Sequence, residues 1–231
     1  MSLHSRLAVA SGASAAGAAT LLLAQRFDGT VPAVLMMILV ARAAGPAAAL
    51  PAGELARQSA SDALRRQALF VPAWVLLAAA ASVRAGSTVL ADVAGAHGVA
   101  GTALVRGPVA VVAGMWLATL GAAIAIGGSF SGSVELSGPP GGMGGAIVRP
   151  PRISRRLEAL GVLAQIAFVA ALVAGAQIRA WTDAAGWVVA AAALGAWAWF
   201  GRHAALLPVA PLAAGALCAA GLVFVVVGGR L

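Results

Sequence analysis

Residues Arg42 to Arg66 read RAAGPAAALPAGELARQSASDALRR. This is the longest polar interruption in the first half of a very apolar chain. It opens where one hydrophobic run ends, at Ala44, and closes where the next begins, at Ala68. Gly45-Pro46 and Pro51-Ala52-Gly53 are breaker signals, so the chain is expected to leave a helix and turn there. After Gly53 the pattern turns helical. Ala56, Ala60, Ala63 and Leu64 share one face, while Glu54, Arg57, Gln58, Ser61, Asp62, Arg65 and Arg66 occupy the other. Asp62 stands four residues before Arg66, the favourable order for a helical ion pair worth about 0.3–0.5 kcal/mol. Two readings follow: a short amphipathic helix lying on a membrane surface, or a solvated loop whose arginines fix topology.

Outward from this stretch the composition decides the class. Of 231 residues, 61% are hydrophobic and 10% charged, against about 45–50% and about 25% in a soluble domain. The mean hydropathy is +0.97. The apolar residues fall in long runs, which predicts an all-α, polytopic transmembrane helical bundle, whereas a barrel would show alternating segments of about ten residues. The chain reads as a single integral membrane domain, 1–231, with polar loops at about 42–67 and 128–156. Every basic residue is arginine, and alanine and glycine replace bulky residues nearly everywhere, which suits close helix approach in lipid. The net charge of +8 belongs with anionic lipid and topology, not with nucleic acid. The lone Cys218 has no intrachain disulfide partner and no neighbouring ligands for a metal.

About seven spans are expected. The first runs from Leu7 to Ala24, after a start that also resembles a signal peptide. The others are Val31–Ala44, Ala68–Val83, Ala103–Gly127, Leu157–Ile178, Ala184–Phe200 and Ala204–Gly228. With the 42–66 loop inside, ten arginines fall on the cytoplasmic side and five outside, giving an N-inside, C-outside arrangement in a bacterial inner (plasma) membrane. The second polar loop, Gly128 to Arg156, carries glycine, proline, four arginines and one acid, Glu135. It reads as a flexible linker, or as a loop that docks a soluble partner or lines a cavity. Trp181, Trp187, Trp197 and Trp199 read as interfacial anchors.

No catalytic constellation is present. His4, His97 and His203 lack metal-ligand spacing, and Gly141-Gly142-Met143-Gly144-Gly145 lacks the strand, helix and lysine of a phosphate cradle. Ser131 has no histidine base in a neighbouring span. The spans hold few polar groups; Arg106 and Gln165 are the main exceptions.

The 42–66 stretch resembles the first cytoplasmic loop of the complex I membrane subunit that forms the quinone-binding foot, and of its counterpart in group 4 membrane-bound hydrogenases. The residues that carry the resemblance are Arg42, Gly45-Pro46, Pro51-Ala52-Gly53, Gln58 and Asp62-Ala63-Leu64-Arg65, with Leu90-Ala91-Asp92-Val93-Ala94-Gly95 similar to a later outer loop. The family's paired arginine and asparagine around Gly-Pro are missing, and its acid-rich quinone loop is reduced to Glu135. The resemblance implies a membrane-anchoring subunit of a respiratory or hydrogenase-type oxidoreductase complex. Its partners would be other subunits and the lipid bilayer. Arg57, Asp62, Arg65 and Arg66 would dock an electron-transfer arm, and Glu135 would serve quinone or protons. This chain itself binds no cofactor in that reading, apart from a shared quinone. A small transporter or channel is the rival reading, and a membrane-embedded enzyme of lipid metabolism a third.

The arginine asymmetry makes a direct prediction. A cysteine introduced at Gly95 should react with an impermeant thiol reagent added outside, and one at Ser137 should be spared. The reverse labelling would overturn the orientation.

Overall fold

The computed structural model describes residues 29–49, 54–95, 108–129, 152–174, 194–196 and 209–229. The expected first span, Glu135 with its loop, the four clustered tryptophans and most of the expected sixth span lie outside the described residues. The described chain is all-helical: α1 Val31–Ala49, α2 Glu54–Ala85, α3 Leu90–Gly95, α4 Val109–Ser129, α5 Arg152–Ala174 and α6 Ala210–Gly228, with a further helical turn at 194–196. Three helices contain stretches long and apolar enough to cross a membrane, Ala60–Ala85, Val109–Gly128 and Ala210–Gly228. Val31–Ala44 and Ala159–Val173 are shorter apolar helical stretches. Seven spans are therefore more than these helices establish.

Two boundaries differ from the sequence reading. Helix α1 does not stop at Ala44 but continues through Gly45-Pro46 to Ala49. Pro46 sits in the last turn, so its missing N–H forfeits one bond, to the carbonyl of Arg42, and the surrounding alanines are the strongest helix formers. The surface helix and the third span also prove to be one helix, the 32-residue α2. Gln67-Ala68-Leu69 contains no breaker, so nothing separates the polar segment from the apolar one. The polar segment is the N-terminal extension of the apolar helix.

The end of α2 is tied to the start of α1. Gly86 adopts φ +66°. Its N–H bonds to Val83 O at 3.2 Å, and Ser87 N–H to Ser82 O at 3.2 Å. This 5→2 and 6→1 pair is a Schellman ending, which favours glycine because of the positive φ. The chain then runs antiparallel to Thr30 through an isolated bridge at Val89, with Val31 N–H donating to Thr88 O and Leu90 N–H to Gly29 O, both at 2.8 Å. Ser87 Oγ accepts from Val89 N–H at 3.1 Å and donates to Asp92 Oδ2 at 2.7 Å. Asp92 therefore has a structural role, holding the turn into α3.

Helices α4 and α6 form the most extensive pair, and they run antiparallel. A Cβ on Gly221 would lie 2.5 Å from Gly114 O and 2.9 Å from Ala118 N. One on Gly121 would lie 2.6 Å from Cys218 Sγ and 2.7 Å from Ala214 O. One on Gly228 would lie 2.7 Å from Ala110 Cβ. Gly114 and Gly121 stand seven residues apart on α4, as do Ala214, Gly221 and Gly228 on α6. The shared stripe lets the backbones approach to main-chain contact. The Cys218 thiol donates to Ala118 O across it at 3.4 Å, and Cys218 is a free, buried cysteine. Helix α2 packs on both members of the pair, and its Phe70, Ala73, Trp74 and Leu77 are buried. A Cβ on Gly128 would collide with the Phe70 ring.

The outward faces are apolar too. Met36, Val40, Leu69, Val75, Trp116, Leu163, Leu212, Val223 and Phe224 are all exposed. So many large exposed hydrophobics on apolar helices suit a lipid bilayer and not water.

Gly221→Ala should lower stability by about 1–3 kcal/mol, because the intruding carbon meets main chain that cannot swing aside. Gly215, with nothing within 4 Å of its would-be Cβ, is the control: Gly215→Ala should be neutral or stabilising by up to ~1 kcal/mol. Thermal unfolding of the detergent-solubilised variants checks the contrast.

Candidate functional site

Two polar constellations stand out among the described residues. The first is the N-terminal extension of α2. Arg57, Gln58, Asp62 and Arg65 are exposed, and Ser61 and Arg66 are half-buried. Arg57, Gln58, Ser61, Asp62 and Arg65 line an open, shallow cleft of about 410 Å³. They meet because positions 57, 58, 61, 62 and 65 follow the i, i+4 and i, i+3 rows of one helix face. Three of the four docking residues expected from the sequence thus share one cleft. Arg66 faces away from it, and its Nε–H donates to the main-chain carbonyl of Asp62 at 3.4 Å. The expected Asp62–Arg66 contact is therefore made to the backbone and not to the carboxylate. Asp62 stays in the cleft as an acid among arginines, so the surface presents both signs of charge.

The second constellation was missed as a site. Arg42, read as a loop residue, lies inside α1 and is 2% exposed, as is Gln165 on α5. Arg42 is among the largest fully buried side chains of the described residues. Its stem crosses α5 at Gly161, where a Cβ would sit 2.5 Å from Arg42 Cδ. Gly161 thus supplies the gap through which the arginine passes. Gln165 follows one turn later on the same face of α5, and its Oε1 is buried without a hydrogen-bond partner among the described residues. A buried acceptor in that state costs about 1–3 kcal/mol. The sequence did carry a signal: Arg42 has hydrophobic residues on both sides, VLMMILVA before it and AA after. The Gly-Pro pair three residues on drew the helix boundary too early.

Arg42 also ends a regular apolar stripe. Val31, Val34, Leu35, Ile38 and Ala41 are the buried residues that precede it, at helical spacing. The packing that buries the stripe therefore buries the guanidinium with it. No group of three or more His, Cys, Asp or Glu side chains suited to a metal ion occurs among the described residues.

Comparison with protein families, with characterised proteins and with solved structures finds no match to this chain.

The Gly161–Arg42 crossing can be measured by a double-mutant cycle. Gly161→Ala alone should destabilise by about 1–3 kcal/mol, since the new carbon meets the arginine stem. Gly161→Ala in an Arg42→Ala background should cost at least about 0.5 kcal/mol less. Additive effects in the unfolding midpoints would mean that the two residues do not meet.

Proposed function

We propose that this chain is a multi-pass membrane subunit whose α2 extension docks a soluble partner of a multi-subunit oxidoreductase complex, of the respiratory or hydrogenase type that the sequence resemblance implies. The observation that carries the reading is the continuity of α2. About twenty residues cross a hydrocarbon core of about 30 Å, and counted back from Ala85 they end at Arg66. The preceding segment, from Glu54 to Arg65, then projects roughly 18 Å at 1.5 Å per residue. It carries Arg57 and Arg65 beyond the membrane boundary on a stiff support. Their guanidinium forks suit carboxylates on a protein surface. Glu135 keeps its proposed role as the acid of the second loop.

A second reading, a small transporter or channel, is favoured by a different observation. An arginine buried among apolar helices is costly to place in a bilayer and is found where polar species bind or pass. Arg42 fits that description.

The docking reading is tested with Arg57→Glu/Arg65→Glu, leaving Arg66 in its contact with Asp62. Exposed ion pairs contribute about 0–1 kcal/mol each, but reversal replaces attraction with repulsion at two adjacent sites. The variant, checked first for membrane insertion, should lose its partner when copurified in mild detergent. A full complement of partners at normal yield would refute docking through this cleft.

A further inference from the structure

We propose that the membrane end of the α2 cleft, at Asp62 and Arg65, holds the headgroup of a phospholipid that carries both a phosphate and a primary ammonium, a phosphoethanolamine headgroup. The inference goes beyond partner docking and shares with that reading only the placement of α2 across the bilayer. It assigns the outer end of the cleft, at Arg57 and Gln58, to the partner and the inner end to lipid.

Two arginines set the depth of α2. Arg66 and Arg84 bracket seventeen residues without charge, Gln67 to Val83, and a hydrocarbon core takes roughly 17–25 residues of helix. The membrane-compatible stretch, Ala60–Ala85, has 26 residues, roughly 39 Å at 1.5 Å per residue. That exceeds a core of about 30 Å but not the core and both headgroup layers together, about 40–45 Å. Its polar end, from Ala60 to Arg66, therefore lies among headgroups. Measured from Arg66, Arg65 and Asp62 stand roughly 2 and 6 Å outward, within a headgroup layer of about 5–8 Å on each side. Arg57 stands roughly 14 Å outward, beyond that layer.

Charge decides which headgroup fits. Asp62 and Arg65 are exposed and line the same cleft of about 410 Å³. They stand three residues apart, which puts their Cβ atoms roughly 5–6 Å from each other. Arg66 turns away and bonds the Asp62 main-chain carbonyl at 3.4 Å, which leaves the carboxylate to the cleft. An exposed pair of opposite charges at this spacing is weak. A zwitterion laid across it head to tail meets both groups, phosphate on the Arg65 guanidinium and ammonium on the Asp62 carboxylate. Ser61, which lines the same cleft, adds a hydroxyl that can serve either end. An anionic headgroup without a cation would leave Asp62 facing a like charge. A trimethylammonium headgroup has no N–H to donate to Asp62. Its usual protein partner is an aromatic face, which the described lining of the cleft lacks.

Native mass spectrometry of the full-length protein, released from detergent micelles after titration with lipid, counts the lipids that stay bound. Phosphatidylethanolamine, its mono- and dimethyl derivatives, phosphatidylcholine and phosphatidylglycerol are compared with identical acyl chains. Phosphatidylethanolamine should be retained roughly three- to fivefold more than phosphatidylcholine, the size of one partly solvated ion pair. Retention should fall at the third methyl group, where the last N–H is lost. D62A should abolish the preference while leaving the phosphate-driven part of binding, and R65Q should lower retention of phosphatidylethanolamine and phosphatidylcholine alike. D62N, which keeps the shape and removes the charge, takes the place of D62A if that variant does not insert. Equal retention of the ethanolamine and choline lipids, or stronger retention of phosphatidylglycerol, would overturn the proposal. So would a preference that survives the loss of the Asp62 charge. Arg57 is untouched throughout and no partner is present, so failure here leaves the docking reading standing, and loss of docking alone leaves the lipid preference standing.

Discussion

The close backbone approach of α4 and α6 is the constraint on which the rest of the bundle depends. In lipid, apolar side chains gain nothing by leaving solvent, so helices associate through packing and hydrogen bonds. The glycine stripe maximises that packing. With Gly114 O and Gly221 in main-chain contact and Cys218 bonded to Ala118 O, the pair behaves almost as a single body. Helix α2 packs on it, with the Phe70 ring against Gly128, and α1 follows through its junction with the end of α2. The contacts of Ala110 with Gly228, Gly114 with Gly221 and Gly121 with Ala214 follow one another along the seam.

The α1–α5 crossing works by the opposite means. There a glycine makes room for a long polar side chain where the seam uses glycine to bring backbones together. Arg42 fills the space that Gly161 leaves, and Gln165 continues the polar level by one turn. Replacing such a pair by leucine and alanine would cost an ordinary apolar bundle little, since buried charge is seldom a source of net stability. A bundle built only for cohesion would not need the arginine. Cohesion already has its device in the seam between α4 and α6.

Much of the architecture was legible in the sequence. Long apolar runs with few charges made helices the only reasonable reading, and the helix at Val31, the apolar part of α2 and the end of α6 at Gly228 fall where hydropathy puts them. The errors share one cause. Gly45-Pro46 was weighted as a break, although a proline in a last turn removes a single hydrogen bond and alanines on both sides favour continuation. The same emphasis on local polarity separated the surface segment from the span in α2, where no breaker exists. The exposure of Arg57, Asp62 and Arg65 was legible because exposure follows charge. Arg42 was not, because its burial depends on a glycine more than a hundred positions away, and no local pattern encodes that partner.

The continuity of α2 has a mechanical consequence that a separate surface helix would lack. A helix lying in the headgroup plane is oriented by lipid and joined to its span through a flexible link. An extension of the same helix is oriented by the packing of that helix. Over its 32 residues, roughly 48 Å, Pro72 is the only proline, and it is exposed. The direction in which Arg57 and Arg65 point is therefore set by the packing of α2 against its neighbours, the α4–α6 pair among them. Any rearrangement of that pair would tilt the cleft as a lever. The extension and the seam are in this sense one device, with the apolar half of α2 as its fulcrum and the arginine-lined cleft at its tip.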